Sequence, residues 1–194
     1  MGGLRIAVLA SGSGTNLQSI IDGIEEGILQ SKIVSVISNK ENAFALERAK
    51  VHGIPFYYMD SKLEDYDMKL LGRLKEDEVD LIVLAGYLKI ISSEMIRTYR
   101  ERIINIHPSL LPKFGGKGYY GIKVHEAVLK SGEAYSGATV HFVDEGVDTG
   151  EIILQETVSV YSTDTPEVLQ KRVLCEVEHK ILVQAIKKLE EERG

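Results

Sequence analysis

The first half of the chain alternates short apolar runs with helical patterns, and that alternation restricts it to an α/β fold with a largely parallel sheet. Leu4–Ala10 (LRIAVLA), Lys32–Ser38 (KIVSVIS), Ile54–Tyr58 and Asp80–Leu84 (DLIVL) have strand length and the continuous apolar character of strands covered on both faces. Leu17–Ile28, Ala43–Lys50 and Tyr66–Glu78 read as the intervening helices, the last with Met68, Leu71 and Leu74 set among charges. Parallel neighbours need a crossover connection, so the carboxyl ends of these strands are predicted to gather at one edge of the sheet. Ligands bind at that edge in α/β proteins.

Ser11-Gly-Ser-Gly-Thr-Asn16 follows the first strand at once and opens the first helix. Glycines remove the Cβ atoms that would block a ligand, and amides at a helix start point outward with the positive end of the dipole. The spacing G-x-G-x-x-L puts Leu17 where a dinucleotide fingerprint needs glycine, and no Walker Lys-Ser/Thr follows. A phosphomonoester held by amides and by the Thr15 and Asn16 side chains fits better. The alternative is that Gly12 and Gly14 only make the turn.

Arg102–Ile104 reads as a further buried strand, followed by Asn105-Ile-His107-Pro108-Ser-Leu-Leu-Pro112. Asn105 and His107 fall where that strand ends, and their side chains share one face. Pro108 and Pro112 forbid a regular helix or central strand, so a rigid turn is predicted. An amide and an imidazole two residues apart can both donate to one developing oxyanion, or can simply cap a strand end. The segment Ala85–Ile91 leaves the same sheet edge, and Tyr87, Leu88, Ile90 and Ile91 form either a wall for a flat ligand or plain core.

Gly115–Gly121 holds four glycines in seven residues and is predicted to be a surface loop beside the site, a lid or a mere connector. Val124–Lys130 reads as a helix. Ala138–Val143 and Ile152–Val160 form a predicted antiparallel hairpin joined by Asp144–Gly150. Asp148 lies in this turn, where its carboxylate either reaches His107 or serves local hydrogen bonds. His141 is read as a core-edge histidine, with a role beside Asp148 as the alternative. A capping pattern at Thr163–Glu167 starts one long amphipathic helix over Val168–Glu192.

A chain of 194 residues with 44% hydrophobic content can bury a single core without staples. Cys175 is the only cysteine, so no intramolecular disulfide or CxxC site exists, and a reducing cytoplasm fits best. The net charge of -6 argues against nucleic-acid and anionic-membrane surfaces. No run approaches the length of a bilayer span, Met1–Ala10 lacks the flanks of a secretion signal, and His52, His125 and His179 have no metal-ligand spacing.

Together SGSGTN, LAGYLKII, INIHPSLLP and VHFVDEGVDTG, in this order and at these distances, closely resemble the phosphoribosylglycinamide formyltransferases of the folate-dependent formyltransferase family. NIHPSLLP is shared across that wider family, whereas SGSGTN marks the phosphoribosylglycinamide branch. The resemblance covers nearly the whole chain. It implies one Rossmann-like formyltransferase domain over 1–194, with a mostly parallel sheet flanked by helices, an antiparallel carboxyl-terminal hairpin and a long final helix. The amino-terminal half would bind phosphate and the carboxyl-terminal half folate.

The implied reaction passes the formyl group of 10-formyltetrahydrofolate to the amine of 5-phosphoribosylglycinamide in purine biosynthesis, with no metal and no covalent enzyme intermediate. Asn105 and His107 would stabilise the oxyanion, and Asp148 would raise the His107 pKa relative to an Asp148→Asn variant. The resemblance places the phosphate grip on Gly14, Thr15 and Asn16, adds Pro108 to the substrate site, and sets Glu178 against the ribose hydroxyls. It places the formyl folate against Lys62, Leu84, Leu88, Lys89, Ile90, Ile91, Ile103, Asn105, Val143 and Asp144. Lys62 and Lys89 stand where many relatives have Arg, which keeps charge for the folate tail and loses a bidentate fork. Partners are small molecules, and a homodimer is left open. The rival readings are a formyltetrahydrofolate hydrolase, for whose usual regulatory domain there is no room before Leu4, and a non-catalytic phosphoribosyl-binding module. A methionyl-tRNA formyltransferase would need a basic surface and a further domain after Gly194.

Overall fold

In the computed structural model, which describes residues 2–193, one seven-stranded sheet runs in the order β3-β2-β1-β4-β5-β6-β7. The strands are β1 Arg5–Leu9, β2 Lys32–Ser38, β3 Phe56–Tyr58, β4 Leu81–Leu84, β5 Ile103–His107, β6 Tyr135–Phe142 and β7 Ile152–Ser159. The first five pair in parallel, and β6 and β7 add on antiparallel. Strand order reverses between β1 and β4, which opens a crevice beyond their carboxyl ends.

The helices are α1 Thr15–Glu25, α2 Phe44–Val51, α3 Tyr66–Glu76, α4 Ser93–Thr98, α5 Ile122–Ser131, α6 Pro166–Val173 and α7 His179–Arg193. Strand alternation divides the core in two. Ile6 and Val8 of β1 pack with α1, α2, α5, α6 and α7 on one face. Ala7 and Leu9 pack with α3 and α4 on the other.

Two sequence expectations are corrected, and one element was not anticipated. The final helix is not uniform: a π-helical segment, Leu174–Glu178, separates α6 from α7 and carries Glu178 inward to a buried position. Met68 faces solvent at 70% exposure, while Tyr66, Leu70, Leu71 and Leu74 form the buried stripe of α3. The short helix α4 went unread; its signal is Ser92, whose hydroxyl accepts from the Met95 amide as an N-cap. Among the described residues no helix is long and apolar enough to cross a membrane.

Candidate active site

The turn after β1 sits in the crevice. The Ser11 amide donates to the Gly86 carbonyl at 3.1 Å, and the Leu88 amide donates to the Ser11 hydroxyl at 3.0 Å, so the turns after β1 and β4 are stitched together. Gly14 caps α1 in a left-handed conformation (φ 70°), with no side chain bonded to the first amides and no acidic residue in the first turn. A side chain on Gly14 would also meet Ala45 of α2, whose Cα would lie 2.7 Å from the added Cβ. The start of α1, at Gly14, Thr15 and Asn16, thus offers backbone amides with no side-chain cap and no neighbouring acid, the local chemistry that suits an anion.

Asn16 is buried, and its Nδ2 donates to Glu178 Oε2 at 2.7 Å. One of the two N–H groups of that side-chain amide is thus engaged by Glu178. Burial pushes the Glu178 carboxyl up to about 7, against the downward pull of the Asn16 hydrogen bond.

Asn105 and His107 both lie within β5, with Ile104 and Ile106 pointing into the opposite core layer. Beyond the strand, the turn through Pro108 is tied down by polar groups. The Thr139 hydroxyl donates to the Ser109 carbonyl at 2.6 Å and accepts the Leu111 amide at 3.2 Å, while Ser109 Oγ donates to the Lys113 carbonyl at 2.7 Å. These bonds fold the next segment back over His107.

His107 is 4% exposed. Its Nε2 donates to the Phe114 carbonyl at 2.9 Å, and its Nδ1 lies 3.5 Å from Asp148 Oδ2. Neutral His107 satisfies Phe114 with its one N–H, so a second proton at Nδ1 faces the Asp148 carboxylate. Burial holds the His107 pKa below its ordinary value, while Asp148 and the Phe114 carbonyl pull upward and His141 pulls down. Burial would raise the Asp148 carboxyl, but the charge of His107 and the Gly116 amide hold it below the usual range. That amide donates to Asp148 Oδ2 at 2.9 Å.

His141 is drawn into the same cluster, which corrects its reading as a core-edge residue. It pairs opposite Asn105 across β5 and β6. Asn105 Nδ2 donates to His141 Nε2 at 3.1 Å, and His141 Nδ1 donates to the Phe142 carbonyl at 2.8 Å, a tautomer assigned from this network. His141 Nε2 also lies 3.6 Å from Asp148 Oδ1, a close polar contact rather than a hydrogen bond. Sequence reasoning missed Phe114 and Gly116 because both act through backbone atoms. The sequence offers His141 a role beside Asp148 only as an alternative, and its pairing with Asn105 emerges from the β5–β6 register.

The apolar side is mixed. Leu84, Tyr87, Ile91 and Ile103 are buried core, whereas Leu88 and Ile90 are exposed. The Val143 amide donates to the Ile103 carbonyl at 2.9 Å, and exposed Asp144 accepts from the Gly146 amide and the Thr149 hydroxyl. Lys89 stacks its ammonium 3.7 Å from the Tyr66 ring centroid and reaches the Ser61 carbonyl at 3.3 Å. Lys62 is exposed, and its ammonium has no partner among the described residues. Pro108 is half-buried at the end of β5.

Residues 4–186 match the model of the family described as formyl transferase. Chloroplastic phosphoribosylglycinamide formyltransferase of Arabidopsis thaliana is 46% identical over 194 residues, covering 97% of this chain and 66% of that protein. Its counterpart from Vigna unguiculata is 45% identical over 193 residues, covering 97% of this chain and 62% of that protein. The chain thus spans just under two thirds of the length of these curated relatives. The crystal structure of glycinamide ribonucleotide transformylase 1 from Symbiobacterium toebii superposes with a TM-score of 0.92 at 43% identity, covering 98% of this chain and 89% of that one. The chain belongs to the phosphoribosylglycinamide formyltransferase family. Across that family likeness, the sheet with its antiparallel end and its last helix is common to this chain and the Symbiobacterium structure.

Proposed function

We propose that this chain transfers the formyl group of 10-formyltetrahydrofolate to the amine of 5-phosphoribosylglycinamide, giving formylglycinamide ribonucleotide and tetrahydrofolate in purine biosynthesis. The observation that carries this reading is the juxtaposition of Asn105, His107, Asp148 and His141 at the end of β5. It lies on the edge that also presents the uncapped start of α1.

The folate supplies an electrophilic formyl carbon at that edge. The Gly14, Thr15 and Asn16 amides hold the phosphate of the acceptor, and Glu178 accepts from its ribose hydroxyls when ionised. Pro108 bounds the acceptor where β5 ends. Asn105 Nδ2 and His107 donate to the formyl oxygen as negative charge develops on it, which lowers the barrier to amine attack. Asp148 favours the imidazolium form of His107 and leaves the proton where the reaction needs it. His107 Nε2 now donates to Phe114, so the formyl oxygen takes the place of that carbonyl and residues 114–121 yield as the substrates enter.

Surface-accessible Leu88 and Ile90 suit one face of a pterin, with the backbone between Leu84 and Ile91, Ile103, Val143 and Asp144 around it. Lys62 and Lys89 supply charge for the glutamate tail. The amino-terminal half brings the phosphate turn, and the carboxyl-terminal half brings most of the reacting side chains. The substrates are small molecules, and the single free Cys175 suits a reducing cytoplasm.

The test is consumption of 10-formyltetrahydrofolate with and without phosphoribosylglycinamide. Consumption only with the amine supports the transferase. Equal consumption without it makes the chain a hydrolase.

A further inference from the structure

The anion-binding turn is held in shape from α2. Each carbonyl from Gly12 to Gly14 is already taken: Gly12 by the Ala45 amide at 3.1 Å, Ser13 by Arg48 Nε at 2.9 Å, and Gly14 by the Gln18 amide at 2.9 Å. In a trans peptide the carbonyl and the following N–H point in opposite directions. A Ser13 carbonyl pulled toward α2 therefore turns the Gly14 amide away from α2, into the anion site.

Arg48 is the only side chain among these three donors. Its Nη1 donates to Gln18 Oε1 at 3.0 Å, and its guanidinium carbon lies 5.1 Å from the Phe44 ring centroid. Gln18 is fixed in turn by donating to Asp22 at 2.8 Å. Among the described residues no carboxylate forms an ion pair with Arg48, so its charge is not neutralised by a partner beside the turn.

We infer that Arg48 is a positioning residue for phosphate recognition: it holds the Ser13 carbonyl so that the Gly14 amide faces the phosphate, and it adds positive potential to the start of α1. This rests on the phosphoribosyl substrate proposed above. It acts through the turn and not by contact with the reacting atoms. Lysine would keep the charge but could not hold the Ser13 carbonyl, Gln18 and the Phe44 ring together.

The test compares wild type with Arg48→Met and Arg48→Lys in steady-state kinetics, with inorganic phosphate as a separate probe of the turn. Arg48→Met raises KM for phosphoribosylglycinamide about tenfold, the size of one charge-assisted hydrogen bond, and leaves kcat and the KM for 10-formyltetrahydrofolate within about twofold. Arg48→Lys raises the same KM by about threefold. Inorganic phosphate raises the melting temperature of the wild type and has a weaker effect on Arg48→Met. An unchanged KM in Arg48→Met overturns the inference, as does a parallel loss in kcat and both KM values with a lowered melting temperature. If the wild type shows no turnover, the functional reading fails, and the phosphate measurement still decides the role of Arg48. A wild type indifferent to phosphate, or an equal phosphate effect in both proteins, overturns it.

Discussion

His107 and Asp148 face each other across 3.5 Å, Nδ1 to Oδ2, and Asp148 arrives there in a left-handed backbone conformation (φ 57°). Aspartate and asparagine tolerate that conformation better than other side chains. The turn between β6 and β7 therefore delivers a carboxylate to an imidazole on β5, and an Asn replacement removes the charge while keeping the backbone.

The Asp148→Asn variant separates these effects. Burial already holds His107 below its ordinary pKa, and Asp148 opposes burial. Removing the carboxylate lets His107 lose its proton at a still lower pH. The limb of the pH–rate profile that belongs to His107 moves down by about one unit, and kcat/KM falls by roughly 10²-fold. A profile with unmoved limbs contradicts the pairing.

His141 holds the Asn105 amide by accepting from its Nδ2. In His141→Ala the amide loses that anchor and its orientation toward the formyl oxygen. The expected outcome is a fall in kcat of about tenfold with little change in either KM, checked by steady-state kinetics. An unchanged kcat would leave His141 with a packing role only.

The fold was legible because its signals are local. The run from Lys32 to Ser38 coincides with β2, and the parallel order follows from strand–helix alternation. Asn105, His107 and Asp148 could be named as candidates from strand ends and turn chemistry. Their meeting could not, since it depends on the register of β5 against β6 and on the backbone of Phe114 and Gly116. The π-helical segment around Glu178 escaped for a related reason. An amphipathic period continues through it, and the pairing of Glu178 with Asn16, 162 residues away in sequence, shows only in the folded chain.

Glu178 makes stability depend on pH in an unusual direction. Its folded pKa of about 7 lies above its ordinary 4.5, so the folded state keeps a proton that the unfolded chain releases. The contribution of Glu178 to stability is full below pH 4.5 and is lost as pH rises through 7. Glu178→Gln retains an acceptor for Asn16 and escapes this cost. The variant is therefore more stable than wild type at pH 8 by on the order of 3 kcal/mol, and nearly equal to it at pH 4. Urea unfolding at both values checks this, and a difference independent of pH would refute it.

Lys62 and Lys89 differ in availability. Lys89 is engaged by Tyr66, Ser61 and Asp67, the last at 3.5 Å, whereas the Lys62 ammonium is unpartnered among the described residues. Lys62→Gln is expected to raise the KM for 10-formyltetrahydrofolate by about threefold at low salt, more than Lys89→Gln does. The effect disappears in high salt. A larger effect from Lys89→Gln would reverse the assignment.

The fate of a ¹³C-labelled formyl group tests the central claim most directly. Labelled 10-formyltetrahydrofolate is incubated with the protein and phosphoribosylglycinamide, and the products are identified by mass spectrometry. The label is predicted on the glycinamide nitrogen of a phosphoribosyl product, at a rate that collapses in His107→Ala. Label recovered as free formate, at the same rate whether or not the amine is present, would contradict the account.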